Sequence, residues 1–168
     1  TDFIPIDSPR IILEVLFDDT KGSDVFGFEN TTEPCFTGNI NRVSDGIFYG
    51  YYRYYKNEYY TDGTYPCDVK VFHTLDFGHI IKIDNTICFE GTGQKSFASN
   101  NRSVLFFHGR NLYKKCKIKW CQLYDGDVLV RDMIAVRKGS VGYMYDKVSG
   151  KLFGNVGTGE FTLGKDKV

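Results

Sequence analysis

The chain reads as one all-β domain whose antiparallel strands close into a sandwich or barrel. Three observations predict it. Apolar residues alternate with period two in stretch after stretch, turn residues recur about every ten positions, and no window of roughly 11–18 residues keeps a helical period. Composition agrees. Of 168 residues, 14 are Phe and 12 are Tyr, an aromatic share of 16% that suits strands better than helices. The length fits a single domain with a real core. No linker, repeat array or low-complexity tract divides residues 1–168.

The first strand is predicted from Arg10 to Asp18, with Ile11, Leu13, Val15 and Phe17 on one face and Arg10, Glu14 and Asp18 on the other. Ser23–Glu29 and Cys35–Ile40 are shorter candidates on either side of a loop at 30–34. Asp45-Gly46 and Asp62-Gly63 bracket an aromatic run from Ile47 to Tyr60. Val69, Val71, His73, Leu75 and Phe77 alternate with Lys70, Thr74 and Asp76, and a tight hairpin at Asn85 joins His79–Asp84 to Thr86–Phe89. Ser103–His108 is continuously apolar, as a strand covered on both faces would be. Cys116, Ile118 and Trp120 are predicted to share the core face, opposed by Lys115, Lys117 and Lys119. Asp125-Gly126 signals a hairpin, after which Val128, Val130, Ile134 and Val136 resume the core pattern.

Several functions are disfavoured at once. The formal net charge is zero, with 10 basic and 15 acidic residues in 1–110 against 11 and 6 in 111–168, whereas nucleic-acid binders usually carry a strongly basic surface. No run approaches the roughly 18 apolar residues of a membrane span. Five cysteines, Cys35, Cys67, Cys88, Cys116 and Cys121, cannot all pair within one chain, and none forms the Cys-x-x-Cys or Cys/His spacing of a zinc site. They read as free buried thiols. Cys116 and Cys121, five apart on one strand, are expected on opposite faces.

The last third of the chain carries a recognisable pattern. Tyr124-Asp125-Gly126, Leu129-Val130-Arg131-Asp132, Tyr145-Asp146 and Gly157-Thr158-Gly159-Glu160-Phe161 follow in that order. Together with the Ile81-Lys82-Ile83-Asp84 hairpin, they resemble the end of concanavalin A-like, laminin-G-type domains of bacterial surface and phage structural proteins. The resemblance is strong over about residues 69–163 and weaker before. It implies a two-sheet antiparallel jelly-roll β-sandwich whose final segment is a closing strand. It also implies that a chain opening on Thr1-Asp2-Phe3 is a piece of a larger protein lacking its first strand. The signature itself has structural readings: positive φ at Gly126, Gly157 and Gly159, separate partners for Arg131 and Asp132, and a one-turn helix around 147–150 capped by Asp146.

No catalytic residues are expected. The Glu-x-Asp-x-x-Glu strand that the glucanase branch of this fold uses for acid–base hydrolysis is absent, as is Gly-x-Ser-x-Gly. No cofactor is expected other than Ca2+. The resemblance implies a calcium site at a loop rim, for which Asp18, Asp19 and Asp24 are weak candidates because no dense acidic loop surrounds them.

The aromatic run offers more. Seven of the 12 tyrosines fall within 49–60, and tyrosine presents a flat apolar face for sugar C–H groups with a hydroxyl to fix orientation. Alternation places Tyr49, Tyr51, Arg53 and Tyr55 on one face and Phe48, Tyr52 and Tyr54 on the other; Tyr59 and Tyr60 follow. The expected ligand-binding residues are therefore Tyr49, Tyr51, Arg53, Tyr55, Tyr59 and Tyr60. The expectation is a non-catalytic module that recognises a glycan or host-surface receptor, on a cell surface, a virion or a secreted protein. The competing reading is a structural domain using the same tyrosines to bury a protein partner or a second copy, since interfaces favour Tyr and Arg too.

Overall fold

The structure, a computed structural model, describes residues 2–4, 9–18, 23–28, 36–44, 47–54, 57–60, 65–66, 68–78, 80–90, 105–106, 116–156 and 158–165, with the backbone alone at 23–60, 66 and 105–106. Its strands are β1 (Pro9–Phe17), β2 (Ser23–Phe28), β3 (Phe36–Ser44), β4 (Ile47–Tyr54), β5 (Asn57–Tyr60), β6 (Tyr65–Pro66), β7 (Phe72–Phe77), β8 (Ile80–Ile83), β9 (Thr86–Glu90), β10 (Leu105–Phe106), β11 (Cys116–Asp125), β12 (Val128–Lys138), β13 (Val141–Asp146) and β14 (Leu152–Phe153). Among the described residues there is no helix. Eight strands form one antiparallel sheet in the order β14-β13-β12-β11-β1-β7-β8-β9. Backbone hydrogen bonds also pair β10-β2-β3-β4-β5 in that order, with β6 beside β4.

The predicted alternation of β1 sets the core. Ile11, Leu13 and Val15 have no exposed surface and Phe17 only 1%. They meet Leu75 and Phe77 of β7, Ile81 and Ile83 of β8, Cys121 and Leu123 of β11, and Met133 of β12. Burying an aliphatic or aromatic side chain of this size contributes roughly 1.5–3 kcal/mol, so this inner face holds the sheet together. Phe3 joins the same cluster from the amino-terminal segment. The hairpin between β8 and β9 turns on Asp84 and Asn85, both at positive φ (48° and 69°), the pairing a two-residue primed turn requires. The next hairpin turns on Gly126-Asp127, one residue later than the sequence suggests, with Gly126 at φ 60°.

In the eight-stranded sheet three β-bulges reset the alternation, and each changes which residues face the core. In β11, Trp120 opposes Glu14 while Ile118 opposes Val15, leaving Lys119 as the extra residue. A bulge puts two residues opposite one and shifts everything beyond it by one position. Trp120 therefore lies on the outer face, half-buried beside Glu14 rather than in the core. For the same reason Cys116 and Cys121 both reach the inner face, against the expectation that they diverge. In β12, Leu123 opposes Arg131 but Tyr124 opposes Leu129, so Val130 is the extra residue. The core residue of that strand is Met133 at 1% exposure. Ile134 pairs with outer-facing Trp120, and Val128 is 65% exposed. Only Val130 of the predicted set packs against the core. In β9, Ile87 opposes Lys82 and Phe89 opposes Ile81, which turns both Cys88 and Phe89 inward. Outside the bulges, β7 begins at Phe72, after a turn in which Lys70 takes φ 65°, so Val71 is exposed instead of buried.

The carboxyl-terminal segment also differs from expectation. Residues 158–165 form no strand. They cross β13 at Gly142, where a Cβ would stand 2.9 Å from the Cβ of Phe161 and 3.1 Å from Leu163 Cδ2. The segment is seated by packing onto a glycine.

Candidate functional site

The tyrosine run lies in β4 and β5. Tyr51 pairs with Tyr60 and Arg53 with Glu58 across β4–β5, while Tyr49, Tyr51 and Arg53 pair with Asn41, Asn39 and Thr37 across β3–β4. Directly opposed positions share a face. One face of this ladder thus collects the positions of Tyr49, Tyr51, Arg53, Tyr60, Asn39 and Asn41, with Glu58 and Thr37 beside them. Tyr59 pairs with Tyr52 and takes the other face; alternation separates the two tyrosines, and the register decides which of them joins Tyr51. Tyr55 lies outside the described residues.

The other face of the ladder has one described side chain. Tyr65 opposes Phe48 across β4–β6, packs against the core cluster and donates its hydroxyl to the Cys88 carbonyl oxygen of β9 at 3.2 Å. The Phe48 position thus shares a face with Tyr65, and the Tyr49, Tyr51 and Arg53 positions take the opposite face of β4.

The outer face of the eight-stranded sheet is self-paired. Arg10 makes a bidentate bond to Asp76, Nε to Oδ1 at 2.7 Å and a terminal nitrogen to Oδ2 at 2.6 Å, and its guanidinium lies 5.5 Å from the Tyr124 ring centre. Gly78 leaves room for the arginine stem, since a Cβ there would stand 3.1 Å from Arg10 Cγ. Further along β1, Glu14 accepts from Lys119 Nζ and from Trp120 Nε1 of β11, the latter at 2.8 Å. Lys119 Nζ is 3.9 Å from the Phe72 ring centre. These groups satisfy one another and leave no polar atom visibly waiting for a ligand.

The Leu129–Asp132 signature is structural. Asp146, fully buried, accepts the backbone amides of Asp132 (2.9 Å), Val148 and Ser149 (both 3.1 Å) and the Ser149 hydroxyl (2.5 Å). Burial alone would raise its carboxyl pKa. The Ser149 hydroxyl and the three amides outweigh that and hold it below the ordinary range. Asp146 caps the turn at 147–149, as its sequence position suggests, although that turn is not a helix. Arg131 bonds Asp2 at 2.5 and 3.2 Å and stands 3.5 Å from Asp146. Asp132 pairs separately with Lys147 at 2.6 Å. Hydrogen bonds from Arg131, and then from Lys151, lower Asp2 to about 2.

Of the calcium candidates, Asp18 faces Lys117 Nζ at 3.9 Å, Asp24 opposes Asn39 in the β2–β3 ladder, and Asp19 lies outside the described residues. Among the described residues no three His, Cys, Asp or Glu side chains gather as metal ligands would. Cys88, Cys116 and Cys121 are free thiols, and burial pushes Cys121 up to about 12, which removes it as a nucleophile. Cys35 and Cys67 lie outside the described residues. His73 is buried, with Nδ1 2.6 Å from Asp84 Oδ2 and Nε2 3.1 Å from the Asp68 carbonyl oxygen. It braces the β8–β9 turn against β7, a tertiary contact its strand position does not announce. No helix among the described residues is long and apolar enough to cross a membrane.

No protein-family model matches the chain, nor does any curated protein or solved structure.

Proposed function

We propose that the chain is a concanavalin A-like, laminin-G-type sandwich acting as a non-catalytic carbohydrate-recognition module, on a cell surface, a virion or a secreted protein. The β2–β6 ladder would form the second layer over the inner face of the eight-stranded sheet, and the Tyr65–Cys88 bond together with the packing of Tyr65 on the core supports that stacking. The observation that carries the binding reading is the register of β3, β4 and β5. It groups Tyr49, Tyr51, Tyr60, Arg53, Asn39 and Asn41 on the side away from Tyr65. Aromatic faces flanked by carboxamides and a guanidinium match a sugar's apolar C–H patch and ring of hydroxyls. Ligation by such a surface is weak per site and is raised by multivalency.

A glycan array probed with the fluorescently labelled protein tests this. Binding to a defined glycan class, lost in Tyr51→Ala and Arg53→Ala with unchanged thermal stability, is expected. Hydrolysis of a bound polysaccharide would overturn the non-catalytic reading.

A second reading, an assembly domain that contacts another protein, is favoured by one observation. Near the β14 edge, Val148, Leu152 and Val156 are 53%, 43% and 81% exposed. No glycan binding, together with a stable oligomer by light scattering, would replace the first reading with this one.

A further inference from the structure

The carboxyl-terminal segment borders a cleft. Where it crosses β13 it leaves a cleft of about 220 Å3 lined by Tyr143, Gly154, Asn155, Gly159, Glu160 and Phe161. That is below the roughly 300–1,000 Å3 of pockets for drug-sized ligands, and it suits a single ring. Glycines make the space. Gly142 lets Phe161 seat at van der Waals distance, and a Cβ at Gly154 would stand 3.6 Å from the Tyr143 ring, so that ring lies against bare backbone. Gly159 takes φ 109°, a conformation side chains disfavour, and its carbonyl oxygen accepts the Asn155 Nδ2 hydrogen bond at 3.0 Å, which ties the two sides of the loop together.

The polar groups at the cleft are open to solvent. Asp2, Glu14, Asp76, Asp132 and Asp146 all have cationic or hydrogen-bonding partners. Glu160 and the Tyr143 hydroxyl have none among the described residues. A carboxylate can accept two adjacent hydroxyls at once, and an aromatic ring beside it can cover the apolar face of the same molecule. The geometry points to a second binding site, for one pyranose ring, held by Glu160 through vicinal hydroxyls and by the ring faces of Phe161 and Tyr143. The inference rests on the carbohydrate reading but uses a different part of the molecule from the β4 tyrosines.

The test is a 1H–15N NMR titration of the whole chain with glucose, galactose, mannose and N-acetylglucosamine as separate probes. One of them is expected to shift the amides of Gly142, Gly154 and Gly159 in a saturable way. Glu160→Gln should weaken that binding about tenfold, the equivalent of one charge-assisted hydrogen bond, and Phe161→Ala should do so at least as much. Tyr51→Ala should leave it unchanged. Saturable shifts confined to residues 47–60 would overturn this site while keeping the tyrosine-face reading. Shifts at the cleft that persist undiminished in Glu160→Gln would overturn the assignment of the carboxylate. No shifts with any of the four sugars would overturn the cleft site, leaving the glycan array to decide the β4 face separately.

Discussion

The middle of the eight-stranded sheet and its β12–β14 end are held by different forces. At the middle, β1 sits between β7 and β11, and Ile11, Leu13 and Val15 bury their side chains completely in hydrocarbon. At the end the sheet narrows to the two residues of β14, and the centrepiece is a carboxylate. Asp146 gathers three backbone amides and a hydroxyl, with Arg131 and Asp2 around it. Hydrocarbon burial is non-directional and indifferent to pH. A buried carboxylate depends on the placement of every donor and on remaining ionised. The chain uses the first where strands flank a strand on both sides, and the second where a turn would otherwise strand its amides.

The largest expected effect breaks the end of the sheet. Asp146→Ala leaves three amides without their acceptor and should cost about 3–5 kcal/mol, measured by urea unfolding at pH 7. Because the folded pKa of Asp146 is depressed, its contribution is present above the unfolded carboxyl value of about 3.9 and is lost as pH falls through the folded value. Asp146→Asn should therefore show a shallower loss of stability below about pH 4 than the parent. An identical acid limb would sink this account of the site. Next comes the centre. Leu13→Ala should cost about 3 kcal/mol from lost transfer energy and the cavity left behind, with a penalty that does not change between neutral and acidic pH. The smallest effect is Asp2→Asn. Its partly exposed bonds to Arg131 and Lys151 should contribute only about 0.5 kcal/mol, visible at low salt and gone at about 1 M, where screening acts within about 3 Å. A salt-independent loss there would mean that Asp2 acts by positioning Phe3 rather than by charge.

What could be read from the sequence follows from what sequence encodes locally. The inner face of β1 and the Asp84-Asn85 hairpin were legible because alternation and turn chemistry are written in neighbouring residues. The inner positions of Met133 and Cys121 and the outer position of Trp120 were not, since a bulge such as that at Lys119 leaves no compositional mark and is fixed by the partner strand. The grouping of Tyr49, Tyr51 and Arg53 on one strand was readable. The pairing that adds Tyr60 and removes Tyr59 depends on the β4–β5 register, which pattern alone does not determine. The cleft beside Phe161 was hidden for a related reason. Gly142 and Gly154 are read as breaks in a pattern until the chain that fills or skirts them is known.

The bulges at Cys88, Lys119 and Val130 have one more consequence. Each works like an inserted beat in a two-beat measure: the backbone ladder continues, but inside and outside exchange places beyond it. A relative lacking one of these extra residues could keep the same sheet and the same core while every downstream position changed its residue number by one. Aligning such a relative to this chain requires a single-residue gap in the middle of a strand, where gaps are ordinarily penalised most. Without that gap, Cys121 would be matched to a solvent residue and Trp120 to a core one.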